Sequence, residues 1–555
     1  MVALKHLTGW LLLLSASIFA NQCSVKADPA RVRKSWNMYS QEEKDRYLSA
    51  VAKAMDLGHQ YKFMLMHNEM RNNMHAHGNC GFLVWHRRYL LAYENMLRSL
   101  DPAFQEVTLP VWDYFRDTNI NISPNAGCNS AQSCSQLLTD FGGGASEDPS
   151  VVLPPQLQMQ NSGNLDGTTQ GTCVSNGLAG HGCSNTEGLA SGQCEQCLIR
   201  GNWNAAQLNI GTDFLRLFAK QNADYYKLAG TLEGSFHSNV HRDLHGMMYT
   251  IGSPFDPVFF AHHATVDMAY YLMNRCVYDP TGAAVPTGPD STRFEMFSQC
   301  TSNSEPSLQF TAEMPMHMAF QDVQAHEHPA TAGFFQSLPP EYNHYVNAEG
   351  IPDVSYRYEL DPYMKGFLAA NQVACPDYLY GGEGAPQRKR HRKHYDRPVH
   401  SREANDSSAE AWTNAALDVA QTLADCGNEV MELHPDMTYS ERVDQQGILK
   451  CEVLYRANGG HFEDYTDEFR NAFNLPSDAK PYCLDIQNRL RSGELELVVS
   501  SECRVHYGEA TGEDLTGDLT LAEDCNAHKK HEHGHHERHK SAHESVHVHV
   551  RIHHE

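Results

Sequence analysis

The segment Glu233-Gly-Ser-Phe-His237-Ser-Asn-Val-His241 constrains this chain most strongly. Histidines four residues apart share one face of a helix, where both imidazoles can converge on a single metal ion. Downstream, Asp256-Pro-Val-Phe-Phe-Ala-His262-His263-Ala-Thr-Val-Asp267 brings a second pair, and His263 could close a three-nitrogen site. A separate histidine group lies far upstream. It consists of His67, in the helical pattern Phe63-Met-Leu-Met-His67, then His77-Gly-Asn-Cys-Gly-Phe-Leu-Val-Trp-His86. The glycines after His77 predict a loop that ends near Trp85, with a helix beginning at Trp85-His86-Arg-Arg. Imidazole sets without carboxylates suit copper, zinc or iron and argue against calcium, magnesium and the two-histidine-one-carboxylate iron site. A lone histidine is more often structural than a ligand. Six at ordered spacing in two helix-rich segments reverse that expectation.

A chain of 555 residues is too long for one core, so two or more domains are expected. Hydrophobic residues at 41% and charged residues at 20% fit a folded protein. The net charge of -25 excludes nucleic acid as a natural partner. Lys5 followed by the apolar run Leu11–Ala20 predicts an export signal over 1–20. That run is too short to span a bilayer, and no later segment is long and apolar enough to do so. The 16 cysteines, an even number, suit disulfides in an oxidising compartment. Asn121-Ile-Ser and Asn405-Asp-Ser are glycosylation sequons. Together these features predict a secreted, extracellular glycoprotein.

Residues 36–118 read as mainly helical, with Ser40 as a cap for Gln41-Glu-Glu. Residues 120–200 read as long loops pinned by Cys128, Cys134, Cys173, Cys183, Cys194 and Cys197. Helical pattern returns at 212–231 and 263–275. A linker over 375–410 contains the basic run Arg388-Lys-Arg-His-Arg-Lys393. Ten cysteines precede residue 301 and six follow from Cys375, which suggests separate bridging in two units. Residues 411–525 carry 23 acidic and 8 basic side chains, and the alternation in Glu494-Leu-Glu-Leu-Val-Val-Ser predicts strands there. The tail 526–555 holds 11 of the 33 histidines, lacks core residues and reads as disordered.

The run His67 to Arg88 resembles the first copper site of the tyrosinase family, and 233–267 resembles the second. The likeness rests on the eight-residue gap between His77 and His86, Trp-His-Arg-Arg, His-x-x-x-His, and the Asp-Pro-Val-Phe-Phe-x-His-His block. Thr108-Leu-Pro-Val-Trp-Asp113 and Tyr356-Arg-Tyr358 resemble two further family elements. The resemblance extends over about 30–360 and includes secreted invertebrate members, catechol oxidases and molluscan haemocyanins. It implies a mainly α catalytic domain whose four-helix bundle holds a dicopper centre. A smaller, disulfide-containing α+β or β-rich C-terminal domain and the His-rich tail would follow. It also implies His67, His77 and His86 on one copper and His237, His241 and His263 on the other. His75 competes with His77, and the spacing to His86 favours His77. His245 forms an alternative pair with His241; the placement of Gly246 and Met248 favours His237 with His241. His262 reads as a neighbour rather than a ligand, and Asp267 as a carboxylate that could orient a ligand ring.

The implied activity is O₂-dependent oxidation of catechols, and hydroxylation of monophenols, to ortho-quinones for pigment or protein hardening. Its partners would be O₂, a free or protein-borne phenol, and extracellular matrix. Glu233 could hold a water that takes the phenol proton. Ser238 stands where many members have Asn, which favours catechol oxidation over monophenol hydroxylation. His75 stands where some members have a cysteine bonded to the second ligand, so no such thioether is expected. Haemocyanin-like oxygen binding and a matrix protein with a residual copper site are the alternatives.

Overall fold

The first helix, Gln41–Asp56, begins where Ser40 predicts it. The Ser40 hydroxyl accepts from the Glu43 N–H at 3.2 Å, and Glu43 Oε2 accepts from the Ser40 N–H at 2.7 Å. This computed structural model describes residues 31–380 and 409–523, except 125, 148–149, 153–167, 184–193, 195, 220–224, 279–307, 309–310 and 319–320. The export signal at 1–20, the run Arg388–Lys393, the Asn405 sequon and the tail 526–555 lie outside the described residues.

Four helical segments gather the histidines. They are His59–Asn68, Gly81–Ser99, Val258–Met273, and the pair Tyr225–Leu232 and Ser238–Leu244 joined through a π turn at Glu233–His237. Every residue of Val258–Met273 is buried, the polar His262, His263, Thr265 and Asp267 included. The short helix Met70–Ala76 delivers His77 at its end. The helix carrying His86 starts at Gly81, four residues before the predicted Trp85. A Cβ on Gly81 would lie 2.5 Å from the His75 carbonyl oxygen, so this glycine serves close packing inside a helix rather than a loop.

Strand Arg31–Lys34 pairs in parallel with Tyr356–Glu359, Arg33 opposite Tyr358. The pairing ties residue 31 to the Tyr-x-Tyr segment beneath the His86 helix. Bridges Cys128–Cys134, Cys173–Cys197 and Cys183–Cys194 pin the 120–200 loops as expected. Arg200 fixes these loops to the start of the His263 helix, donating to Asp256 at 2.7 and 2.9 Å and to the Phe141 and Gly143 carbonyls. Asn121, of the first sequon, is half-buried and donates to Gln207.

Two expectations are corrected. Cys276–Cys375 crosses the inferred division of cysteines at residue 301, and Leu379 and Tyr380 are buried, so 375–380 pack with the first unit. The second unit is helical, not α+β or β-rich. Its helices are Ala409–Leu433, Tyr439–Ala457, Asp467–Ala472, Tyr482–Ser492 and Ser501–Thr511, and none of its described residues is in a strand. The alternation at Glu494–Ser500 is real, with Glu494 and Glu496 exposed and Val499 buried. Its backbone, however, pairs with one side chain instead of a strand: Gln445 donates to the Glu496 carbonyl and accepts from the Val498 N–H. Cys426–Cys503 and Cys451–Cys483 close within this unit.

The units share an extensive face. Ala416, Ala420 and Val443 belong to the core of the first unit. Arg116 donates to Thr413, Thr212 to the Val443 carbonyl, Arg242 to the Glu463 carbonyl, and Arg216 pairs with Asp444.

Candidate metal centre

Two groups of imidazoles converge in the buried interior. In one, single ring nitrogens of His67, His77 and His86 lie within 4.8 Å of one another; in the other, those of His237, His241, His262 and His263 do. The groups adjoin, because the rings of His86 and His263 stack at 4.3 Å. His67 and His86 bring their Nε2 atoms to 3.3 Å.

The rings are oriented through their outer nitrogens. Nδ1 of His67 hydrogen-bonds the Ile251 carbonyl at 2.7 Å, that of His86 the Phe82 carbonyl at 2.8 Å, and that of His237 the Glu233 carbonyl at 3.1 Å. Nδ1 of His241 bonds the Met248 carbonyl at 2.6 Å, and that of His77 the Asn73 side-chain oxygen at 2.6 Å. A carbonyl can only accept, so each Nδ1 carries the proton and each Nε2 presents a lone pair. Nε2 of His237, His241 and His263 has no hydrogen-bond partner among the described residues, although all three are buried. Buried nitrogens without a partner are costly unless something binds them. Burial lowers every one of these pKa values, that of His67 to about 3 and of His241 to about 4, so the rings stay neutral and able to bind metal. The donor set, neutral nitrogens without carboxylates, fits copper.

His75 and His245 stand apart from both groups. His75 accepts from or donates to the Tyr342 hydroxyl at 3.0 Å. His245 ends its helix at φ 51° and stacks on Tyr249 at 5.8 Å. His262 joins the second group and stacks on His237 at 5.2 Å. Asp267 does not orient a ligand ring. Its carboxylate accepts from Arg87 Nε at 2.7 Å, Arg33 Nη1 at 3.2 Å, the Tyr358 hydroxyl at 2.5 Å and the Tyr356 hydroxyl. This carboxylate instead pairs with the buried guanidiniums of Arg87, the residue after His86, and of Arg33, which also pairs with Glu94 at 3.0 Å.

Glu233 is buried, and both its oxygens accept from the Gly78 N–H at 2.8 and 2.9 Å. Burial pushes its pKa well up, opposed by that one N–H. The Ser238 hydroxyl is committed to the Glu233 carbonyl at 2.6 Å. Asn239, one place later, donates to the Asn209 carbonyl.

The second unit reaches the centre. Helix Asp467–Ala472 delivers Phe473, fully buried, with its ring 4.9 Å from His241, 5.6 Å from His77 and 6.2 Å from His237. Asn474 follows at φ 48°, a conformation asparagine tolerates, and turns the chain back. The Tyr465 hydroxyl donates to Asn239 Oδ1 at 2.6 Å. Sequence reasoning missed Phe473 and Tyr465. An aromatic residue in a remote segment carries no local sign of what it covers.

No described helix is long and apolar enough to cross a membrane. Residues 58–275, which include both histidine groups, match the common central domain of tyrosinase. A tyrosinase of Streptomyces antibioticus is 29% identical over 265 residues, 46% of this chain and 87% of the relative. Grixazone synthase of Streptomyces griseus is 26% identical over 319 residues, 48% of this chain and 99% of the relative. A tyrosinase of Felis catus is 28% identical over 216 residues, 35% of this chain and 37% of the relative. With the two adjoining imidazole groups carried by the matched segment, residues 58–275 form a central domain of the tyrosinase family.

Proposed function

We propose that this chain is a secreted copper oxidase that uses O₂ to convert catechols to ortho-quinones, held latent by its C-terminal unit. One observation carries the catalytic reading: two buried, neutral, all-imidazole groups adjoin through His86 and His263 at 4.3 Å. His67, His77 and His86 would hold one copper, and His237, His241 and His263 the other. His263 is preferred to His262 because its ring faces the first group. When bound, copper would supply the electron exchange between dioxygen and the catechol.

The side chains supply the rest. Five backbone or amide oxygens fix the ring tautomers. The buried surroundings exclude water and keep the rings uncharged. Glu233, fixed beside His77 by the Gly78 N–H, is the candidate to hold a water that takes the phenolic proton. The Ser238 hydroxyl is spent on the backbone, which supports a preference for catechols over monophenols.

The latency reading rests on Phe473, whose ring packs against three of the six ligand rings. Cleavage in the basic run Arg388–Lys393 would free the unit that carries it. Disulfides in both units and the 1–20 segment support an extracellular setting, where the quinones would harden protein or matrix. The test is metal analysis and initial rates on a catechol and a monophenol, before and after cleavage of the linker. Two coppers per chain, faster catechol turnover and a gain on cleavage are expected. Zinc in place of copper, or no turnover from copper-loaded cleaved protein, would overturn the reading.

A further inference from the structure

Four of the imidazoles are turned by backbone carbonyls, those of Ile251, Phe82, Glu233 and Met248. Such acceptors belong to the folded frame of the first unit and stay in place while it remains folded. His77 is held differently. It lies just past its helix in extended backbone, φ -133° and ψ 149°, and its Nδ1 donates to the side chain of Asn73.

The other end of that amide belongs to the second unit. Asn73 Nδ2 donates to the Ala472 carbonyl at 3.1 Å, and Asn474 Nδ2 donates to the Asn73 carbonyl at 3.4 Å. Ala472 and Asn474 flank Phe473, so the covering ring and the two contacts to Asn73 arrive on one short segment. An amide group is planar, with its oxygen and nitrogen at fixed separation, so anchoring Nδ2 fixes where Oδ1 points. At 7% exposure Asn73 has little access to water as a substitute partner while the second unit is in place.

We propose that Asn73 is a positioning residue that makes the first histidine group depend on the C-terminal unit. With Phe473 seated, Asn73 holds His77 with Nε2 toward His67 and His86. When the segment 472–474 withdraws, Asn73 loses the anchor on Nδ2 and His77 loses its defined orientation. The unit that covers the centre therefore also steadies its first copper: withdrawal would admit substrate to a loaded centre and at the same time make that copper easier to lose. This deepens the copper reading above and rests on it.

The test uses the copper-loaded full chain and measures copper lost to a chelator, together with the EPR signal of isolated Cu(II), which a bridged Cu(II) pair does not give. Partners of a ligating histidine typically change metal affinity roughly 10–100-fold. Asn73→Ala should release one copper at least about tenfold faster than the parent and leave a one-copper chain with an EPR signal. Asn73→Asp keeps an acceptor for His77 without needing Ala472, and should retain copper better than Asn73→Ala. Phe473→Ala, which loosens the segment, should weaken the first site when residue 73 is Asn and have little further effect when it is Asp. Equal copper retention by Asn73→Ala and the parent would overturn the proposal. So would a Phe473→Ala effect of the same size in both residue-73 backgrounds. A parent chain that takes up no copper would instead overturn the copper reading itself.

Discussion

Replacing Phe473 with Ala tests latency at one side chain. The ring is fully buried and touches His77, His237 and His241 across the interface, and Phe469 within its own unit at 4.6 Å. Truncating a buried phenylalanine costs about 3–5 kcal/mol. The Phe469 contact persists when the unit withdraws, so only part of that cost, about 2 kcal/mol, falls on docking. At 1.4 kcal/mol per factor of ten, the open population rises about thirtyfold. The assay is the initial rate of quinone formation by copper-replete full chain, with parent, Phe473→Ala and linker-cleaved parent side by side. The variant should be faster by about that factor, up to the ceiling set by the cleaved protein. Parent-like rates from a folded, fully copper-loaded Phe473→Ala would show that Phe473 does not limit access.

Three further outcomes are expected. His263→Ala should abolish turnover while His245→Ala keeps both coppers, since His245 packs on Tyr249; copper loss from His245→Ala alone would move the second site by one helical turn. Asp267→Asn should destabilise the protein by about 3 kcal/mol, read as a lowered thermal midpoint, because it leaves Arg87 buried without a carboxylate and Arg33 with Glu94 alone. Metal-free protein should lose stability on acidification. Burial lowers His67 to about 3 and His241 to about 4, whereas the unfolded rings titrate near ~6.5, so their contribution is complete above that pH and falls as pH drops toward 4. At pH 5 the loss is about 2 kcal/mol for each ring, measurable by denaturant titration at pH 7.5 and 5; equal midpoints would contradict it.

Local chemistry made much of the first unit readable. Ser40 with Glu43 announces a capped helix, and the spacing of His237 and His241 announces one helical face. The second unit was less readable, although Thr438 with Glu441 is an equally plain capping box for Tyr439–Ala457. There the alternation of 494–500 outweighed it, because one-sided burial gives the same period whether the backbone pairs with a strand or with Gln445. The Asn73 to Ala472 contact spans 399 residues. Neither residue type hints at it, since an asparagine near a helix end is ordinarily a local cap. Asp267 misled for a related reason: its spacing from His263 is that of a ring-orienting carboxylate, yet Arg33, brought in by the strand pairing, claims it first.

The disulfides bear on what a cut linker would do. Cys276–Cys375 closes within the first unit, and Cys426–Cys503 and Cys451–Cys483 within the second, so no bridge with both ends described joins them; Cys80 is also bridged, to a partner outside the described residues. While the linker is whole, the Phe473 unit is present at a local concentration of roughly millimolar order, independent of how much protein is in solution. With no bridge between the units, cleavage would make the same unit a separate molecule obeying ordinary mass action. A concentrated store of cut protein would then remain quiet, and spreading it into a larger volume would release the oxidase without any further signal.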